Sequence, residues 1–364
     1  MSKKIKALIA IGGTGGHVFP GYNLGIHLKE NGYDIDLITD NRGYRFLSKF
    51  KKFNIYILPS FPLKGKNILT LFISFFSIFY SILRSAIFLI FNRPNIIFGM
   101  GGYASFPICI AAFALRIRFI IYENNLVIGK ANKLLLPFTE KMIVAFKEVE
   151  GVSNKYNKKI FEIGNIIKKE IINFSKNERV NKFKGLSLLI LGGSQAAQVF
   201  AEKLPTIFLQ CSKKGISLKI YQQCLPHQND YLSSFYKKAN IDFEIFNFSN
   251  NLTDYFFKTN LAITRSGSSM LAELANANLP FICVPLPSSA DNHQFKNALH
   301  YQKNQLAFLL EEKDLNDKLL SLLKEIHDSN SILEKIMDNQ RQFSDKNVYN
   351  NINLVLNKSI NEKN

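Results

Sequence analysis

Residues 5–17 read IKALIAIGGTGGH, a short apolar run that ends in four glycines and a threonine within five positions and then a histidine. Apolar residues without helical spacing predict a buried strand, and the following YNLGIHLK (Tyr22–Lys29) has the spacing of a helix. Glycine frees the backbone for positive φ and lets N–H groups approach a ligand closely. A glycine turn between strand and helix therefore presents amides and a helix N-terminus to an anion, usually a phosphate. The stretch is not G-x-G-x-x-G, and the only acidic candidate for a ribose partner after the next strand is Asp40, in IDLITD. Residues 186–198, LSLLILGGSQAAQ, repeat the strand-plus-glycine arrangement about one domain later. The two stretches predict an α/β chain of two Rossmann-like domains facing each other across a cleft.

Further pieces fit this plan. PNIIFGMGGYASFP (Pro94–Pro107) is another strand ending in glycines, and RFIIYENN (Arg118–Asn125) is a strand ending in polar groups. Open α/β sheets bind ligands beyond the carboxyl ends of their strands, so these turns belong with Gly12–His17. In the second half, NLAITRSGSSMLAELANANLPFICVPLP supplies strand, turn, helix and strand, its turn at Arg265–Ser269 being a third amide-rich phosphate candidate. Lys155–Lys184, rich in Lys and Asn, is predicted to be a surface linker, and the Asn- and Lys-rich end of the chain a frayed terminus. The expected division is 1–163, 164–340 and a helical tail, 341–364.

A chain of 364 residues accommodates two such domains, and a net charge of +18 asks for an anionic partner. Nucleic acid fits the charge, but the chain carries no helix-turn-helix, aromatic RNA-binding motif or zinc module. Cys109, Cys211, Cys224 and Cys283 lack C-x-x-C spacing, which argues against zinc or a disulfide framework and for a reducing compartment. The first residues imitate a signal peptide, yet the apolar run is short and breaks at glycines, so the N-terminus is expected to stay inside.

Several side chains are chemistry candidates. Glu273, on the helix after TRSGSS, is the only carboxylate in its run, and a carboxylate accepts two hydrogen bonds from a vicinal diol such as a ribose. Asp291, Asn292, His293, Gln294 and Asn297 crowd seven positions, as sugar hydroxyls or a helix N-cap would require. His17 either acts as a general base near neutral pH or fixes its loop through backbone bonds, with Glu123 the reserve base. The only D-x-D, Asp34-Ile35-Asp36, begins a strand rather than ending one, so no metal ligand set is expected.

GGTGGHVFPG, GMGGYASFP, ENN, GGSQAA and RSGSSMLAELANANLPFICVPLP followed by DNHQFKNA occur in this order, and the combination resembles the MurG family. These are the lipid I N-acetylglucosaminyltransferases of bacterial peptidoglycan synthesis. The resemblance, from about residue 6 to about residue 300, implies a GT-B fold and UDP-N-acetylglucosamine as donor. It also implies undecaprenyl-linked lipid I as acceptor, inversion at the anomeric carbon, no cofactor and no bound metal. By motif it places Thr14, Gly15 and Gly16 in the first donor-contacting loop, Asn125 at the sugar and Ser194 near the diphosphate. It likewise places the run Ser268, Ser269, Met270, Leu271, Ala272 and Glu273 at phosphate and ribose, Gln294 at a sugar hydroxyl and Phe248 at the uracil. Arg265 is a candidate for the charge of the departing diphosphate. The chain departs from the family at Tyr122, where a histidine is usual, at Lys168, which stands for an arginine, and around Tyr221–Cys224. Lysine keeps charge but loses the planar fork. Rival readings are a related transferase with a diacylglycerol acceptor and a UDP-sugar 2-epimerase.

NILTLFISFFSIFYSILRSAIFLIF (Asn67–Phe91) is the most apolar stretch, uncharged from Ile68 to Leu83 and then interrupted by Arg84. Sixteen uncharged residues fall short of the ~20 that span a bilayer as a helix. The pattern predicts a helix packed in part on its sheet, with outward residues among Phe72, Phe75, Phe76, Phe79 and Tyr80 entering a membrane surface. The expected partner is the anionic inner-membrane surface, bound peripherally from the cytoplasmic face.

Overall fold

The structure, a computed structural model, describes residues 4–13, 15–61, 67–173, 183–247, 249, 251–329, 331–343 and 345–361, apart from the side chains of 194–197 and 358–361. It forms two compact units, one of Met1–Lys168 with Asp345–Asn364 and one of Lys169–Ser344.

In the first unit the strands are β1 (Lys6–Ala10), β2 (Asp34–Thr39), β3 (Asn54–Ile57), β4 (Ile96–Gly99), β5 (Arg118–Glu123), β6 (Lys141–Val144) and β7 (Ile160–Glu162). Between them run α1 (Gly15–Glu30), α2 (Asn41–Leu47), α3 (Ile68–Phe91), α4 (Gly102–Ala114) and α5 (Lys130–Leu135). Among the described residues the strands form one parallel sheet in the order β3-β2-β1-β4-β5-β6-β7. Helices cover both faces of such a sheet, which is why its strands read as continuous apolar runs: β4 and β6 are buried at every position.

The second unit holds α6 (Lys169–Ile172), β8 (Leu186–Leu191), α7 (Gly193–Lys213), β9 (Leu218–Gln223), α8 (Asn229–Lys238), β10 (Asp242–Phe246), α9 (Thr253–Lys258), β11 (Leu261–Thr264) and α10 (Ser268–Asn276). It continues with β12 (Phe281–Cys283), α11 (His293–Lys303), β13 (Phe308–Leu309), α12 (Leu315–Asp328) and α13 (Ser331–Gln342). Among the described residues its parallel sheet runs β10-β9-β8-β11-β12-β13. Its core gathers β8 with Phe200, Leu204 and Phe208 of α7, Tyr236 of α8 and Leu315, Leu319 and Leu323 of α12.

Two expectations are corrected. The supposed surface linker contributes an edge strand, β7, and Ile163, Ile166 and Ile167 after it are buried. The supposed frayed terminus is α14 (Val348–Asn361), which buries Val348, Tyr349, Ile352 and Leu356 in the first unit. Asp345 Oδ1 accepts Asn165 N–H at 2.8 Å, Tyr122 Oη accepts Ile166 N–H at 3.1 Å and Tyr349 Oη donates to Ile167 O at 2.6 Å. The segment between β7 and Lys168 is thus fastened at three successive residues. Tyr122, the departure from a usual histidine, is one of the fasteners.

The apolar stretch forms α3, a 24-residue helix opened by a capping box between Asn67 and Thr70. Ser74, Ser81, Ser85 and Leu89 line its buried face, against α4, while Phe72, Phe75, Phe76, Phe79 and Tyr80 are each more than half exposed. Ser77 and Ser81 hydroxyls return to carbonyls one turn back, at 2.9 and 2.8 Å. Small polar residues thus form the packing seam and the large apolar ones face outward, the reverse of a buried crossover helix. By length and composition α3 could cross a membrane, and only 22% of its most apolar window is buried, unlike a core helix.

Candidate active site

Strand order locates the site in each unit. In the first sheet the order reverses between β1 and β4, in the second between β8 and β11. Ligands of open α/β sheets bind beyond the carboxyl ends of the strands at such a reversal. The turns there are Ile11–Gly13 after β1, Met100–Gly101 after β4, Gly192 after β8 and Arg265–Gly267 after β11. All four are the glycine-bearing turns singled out from the sequence.

In the first unit the two turns pack directly together. A Cβ on Gly12 would lie 2.0 Å from Ala104 Cβ, so only glycine fits. Gly101, at φ +89°, has no side chain where one would come within 3.1 Å of His17 Nδ1, and the imidazole lies against this bare backbone. His17, half-buried, is the third residue of α1. Gly16 O accepts Asn124 Nδ2 at 2.9 Å, tying the first turn to the end of β5. Gly15 is half-buried and Gly16 exposed, so backbone is presented to solvent here; Thr14 lies outside the described residues.

Glu123 is 2% exposed. Its Oε1 accepts N–H and Nδ2 of Asn125, both at 3.1 Å, and its Oε2 accepts Gly129 N–H at 2.8 Å and Asn132 Nδ2 at 2.9 Å. Four donors on one buried carboxylate make it the anchor of the 123–132 loop. Asn125 is itself enlisted, its Nδ2 also reaching Asn124 Oδ1 at 2.8 Å. Asn132 escaped the sequence reading because nothing in GKANKLL marks it. It is 1% exposed, donates to Tyr122 O as well as to Glu123, and would stand 3.6 Å from a Cβ on Gly101, so it joins the loop to the glycine turn beneath His17.

Asp40 does not end a ribose-binding strand. It caps α2 through Gly43 N–H at 2.8 Å and pairs with Arg42 at 2.6 Å. Burial alone would raise its carboxyl pKa, but the bonds from Gly43, Arg42 and Ser60 outweigh that and lower it. Asp36 is paired with Lys6 at 3.0 Å on the amino-terminal half of β2, away from the binding edge.

In the second unit, α10 starts directly at the β11 turn with Ser268, Ser269 and Met270 in its first turn. The N–H groups of a helix's first turn have no partner within the helix and suit an anion. Leu271 N–H is already bonded to Gly267 O at 3.1 Å, and the side chains of Leu271 and Ala272 are fully buried. The side chains of these two residues therefore pack the core, so their place in the run is a matter of backbone. Glu273, one turn along, is half-buried at the surface of the helix.

Gln294 Oε1 accepts Ser266 N–H at 3.2 Å and Leu286 N–H at 3.0 Å. Both donors fix the amide with Oε1 toward the turn. Asn297 is fully buried and donates Nδ2 to Ser266 O at 3.3 Å, so the polar cluster on α11 clamps the phosphate-type turn.

Arg265 is 6% exposed, donates to Val284 O and Pro285 O, pairs with Glu312 and stacks 4.9 Å from the Phe200 ring centroid. A guanidinium so placed braces the β11 turn against the end of β12 and the turn at Glu312 that precedes α12. Its charge, a candidate for the departing diphosphate, is paired with Glu312. Ser194 is the second residue of α7, its side chain outside the described ones, and Phe248 lies outside the described residues altogether. Lys168 is half-buried at the end of the fastened segment. Cys224 is buried after β9, its thiol pKa raised by that burial and its Sγ donating to Asn229 Oδ1 at 3.2 Å.

Two glycosyltransferase-type α/β units with paired glycine turns at both reversals define a nucleotide-sugar transferase class, and the chain belongs to glycosyltransferase family 28. Residues 7–144 match the N-terminal domain of that family and residues 187–352 its C-terminal domain. A Pelagibacter ubique protein named UDP-N-acetylglucosamine--N-acetylmuramyl-(pentapeptide) pyrophosphoryl-undecaprenol N-acetylglucosamine transferase is 35% identical over 363 residues, 100% of both chains. A Rickettsia canadensis protein of the same name is 34% identical over 327 residues, 87% of this chain and 90% of its own. The crystal structure of MurG from Acinetobacter baumannii superposes with a TM-score of 0.76 over 97% of this chain and 99% of that one, at 23% identity, which establishes the shared fold.

Proposed function

We propose that this protein transfers N-acetylglucosamine from UDP-N-acetylglucosamine to the muramoyl 4-hydroxyl of undecaprenyl-linked lipid I, with inversion. The observation that carries the reading is the pair of glycine turns at the strand-order reversal of each unit, on a chain that aligns end to end with a transferase of that name. On the second unit, the first-turn N–H groups of Ser268, Ser269 and Met270 receive the diphosphate, and their fixed dipoles stabilise the charge that develops as UDP departs. Glu273 accepts the ribose hydroxyls, and Gln294 Nε2 donates to a sugar hydroxyl. The first unit receives the acceptor, with the turn at Gly15 and Gly16 contacting the donor, and His17 takes the proton from the acceptor hydroxyl as that oxygen attacks C1. Glu123 and Asn132 hold the loop beneath that imidazole.

The exposed aromatic face of α3 seats the protein peripherally on an anionic inner-membrane surface from the cytoplasmic side, with the prenyl chain of the acceptor left in the bilayer. Phe75→Ser/Phe79→Ser should weaken flotation with anionic vesicles; equal flotation of variant and wild type rejects the contact.

The reaction itself is tested with labelled donor and three acceptor conditions. Label should pass to a short-chain lipid I analogue. Transfer to diacylglycerol instead, or release of free N-acetylmannosamine from donor alone, supports the respective rival.

A further inference from the structure

A cavity of about 420 Å³ opens on the first unit, within the range of small-ligand sites. Asp40, Asn41 and Arg42 form one wall, residues 57–61 at the end of β3 a second, and Tyr80 and Arg84, one turn apart on α3, the third. No step of the transfer proposed above uses it.

Its place on the sheet relates it to that transfer. Strands β3, β2 and β1 are neighbours, and the cavity lies beyond the carboxyl ends of β2 and β3, beside the glycine turn that follows β1. Neighbouring strands stand about 4.8 Å apart, so the cavity begins about 5–10 Å along the binding edge from that turn. Wall and turn also touch. Asp40 Oδ1 accepts Gly43 N–H at 2.8 Å and Gly13 N–H at 3.5 Å, and a Cβ on Gly43 would lie 3.4 Å from Gly12 Cα. A substituent that leaves the turn of β1 toward β2 reaches this cavity first.

The charges and walls say what kind of substituent fits. Asp40 Oδ2 is taken by Arg42 Nε at 2.9 Å, Arg42 Nη2 at 2.6 Å and Ser60 Oγ at 3.1 Å, so Asp40 and Arg42 neutralise each other. Arg84 is exposed and forms no ion pair among the described residues, which leaves the cavity one net positive charge. Its planar fork matches a carboxylate. Asn41 adds an amide, donor and acceptor together, which suits peptide groups, and Ile57 and Phe61, 44% and 42% exposed, are apolar walls. The carboxyl end of a short peptide meets all three demands.

The acceptor proposed above is a muramoyl pentapeptide, the substrate for which the Pelagibacter and Rickettsia relatives are named. A peptide joined through its amino end finishes in a free carboxylate, and five extended residues reach about 17 Å, more than the separation along the edge. We infer that the cavity receives the carboxyl-terminal end of the acceptor's peptide, its carboxylate paired with Arg84 and its last residues against Ile57 and Phe61. The inference rests on the transferase reading and adds to it the place that the peptide occupies.

Transfer kinetics of the full chain in vesicle-free solution test it with three short-chain acceptors: one with its pentapeptide, one whose peptide ends in a carboxamide, and one without peptide. For wild type the KM of the free acid should be about fivefold below that of the carboxamide, the upper range for an exposed ion pair. Arg84→Gln should raise the free-acid KM by that factor and erase the difference, and Arg84→Lys should restore part of it. Equal wild-type KM for acid and carboxamide overturns the peptide site, a comparison that needs no variant. If Arg84→Gln raises KM equally for all three acceptors, the guanidinium serves the diphosphate they share and the peptide site is again overturned. Transfer to none of the three overturns the transferase reading itself, whereas transfer to all three with no dependence on Arg84 overturns the subsite alone.

Discussion

Glu123→Gln separates an anchor from a base. The substitution keeps shape and size but replaces one acceptor oxygen by an NH₂ group. Whichever way the amide turns, that NH₂ faces two donors: Asn125 N–H and Nδ2 on one side, Gly129 N–H and Asn132 Nδ2 on the other. Two hydrogen bonds to a charged acceptor are lost and two donors are left facing a third, in a site only 2% exposed. Hydrogen bonds to charged groups contribute about 1.5–3 kcal/mol each, so the loop should lose about 3–6 kcal/mol of local stability. At about 1.4 kcal/mol per tenfold, Gly129 N–H, whose acceptor is Glu123, should exchange with solvent at least about 100-fold faster. Amide hydrogen exchange read at Gly129, beside kcat measured on the same sample, is the assay. Exchange within about threefold of wild type, with kcat abolished, would refute the anchor and return Glu123 to the role of base.

His17→Gln should lower kcat by about 10²–10⁴ with a small change in either KM, and near wild-type turnover would leave His17 as a loop-fixing residue. Glu273→Ala should raise KM for the donor far more than for the acceptor; an unchanged donor KM in a folded variant removes the ribose assignment. Asp40→Asn keeps the α2 cap but not the charge facing Arg42. Because the folded pKa of Asp40 is lowered, its charge stabilises the fold above the unfolded value of 3.8 and the effect is lost as pH falls through the folded value. The variant should therefore be less stable than wild type by about 1 kcal/mol near neutral pH, and the gap should close only below pH 3.8, as urea unfolding at both pH values will report.

The parts of the fold that were legible in the sequence are local ones. An apolar run, a glycine turn and a helix follow one another without a break, so Lys6–Glu30 and Leu186–Lys213 announce themselves. The outward aromatics of α3 were legible for a similar reason, since a helix apolar all round cannot bury every face. What stayed hidden are partnerships between residues far apart in the chain. Arg265 reads as a free cation until Glu312, 47 residues on, is seen against it. Glu123 reads as a base until Gly129 and Asn132 are seen to fill its oxygens. Gly16 and Asn124 meet across 108 residues, and Asp345 reaches Asn165 across 180, which no periodicity encodes. Strand β7 was missed because three residues, none buried, leave too little apolar signal inside a Lys- and Asn-rich segment.

The central claim is a glycosyl transfer with inversion from a UDP-linked sugar to the muramoyl 4-hydroxyl. The most direct measurement is the NMR spectrum of the product formed from ¹³C-labelled UDP-N-acetylglucosamine and a short-chain lipid I analogue. The account predicts a β-configured labelled anomeric carbon bonded to O4 of the muramoyl residue; an α-configured linkage, attachment elsewhere, or label recovered only as free sugar would contradict it.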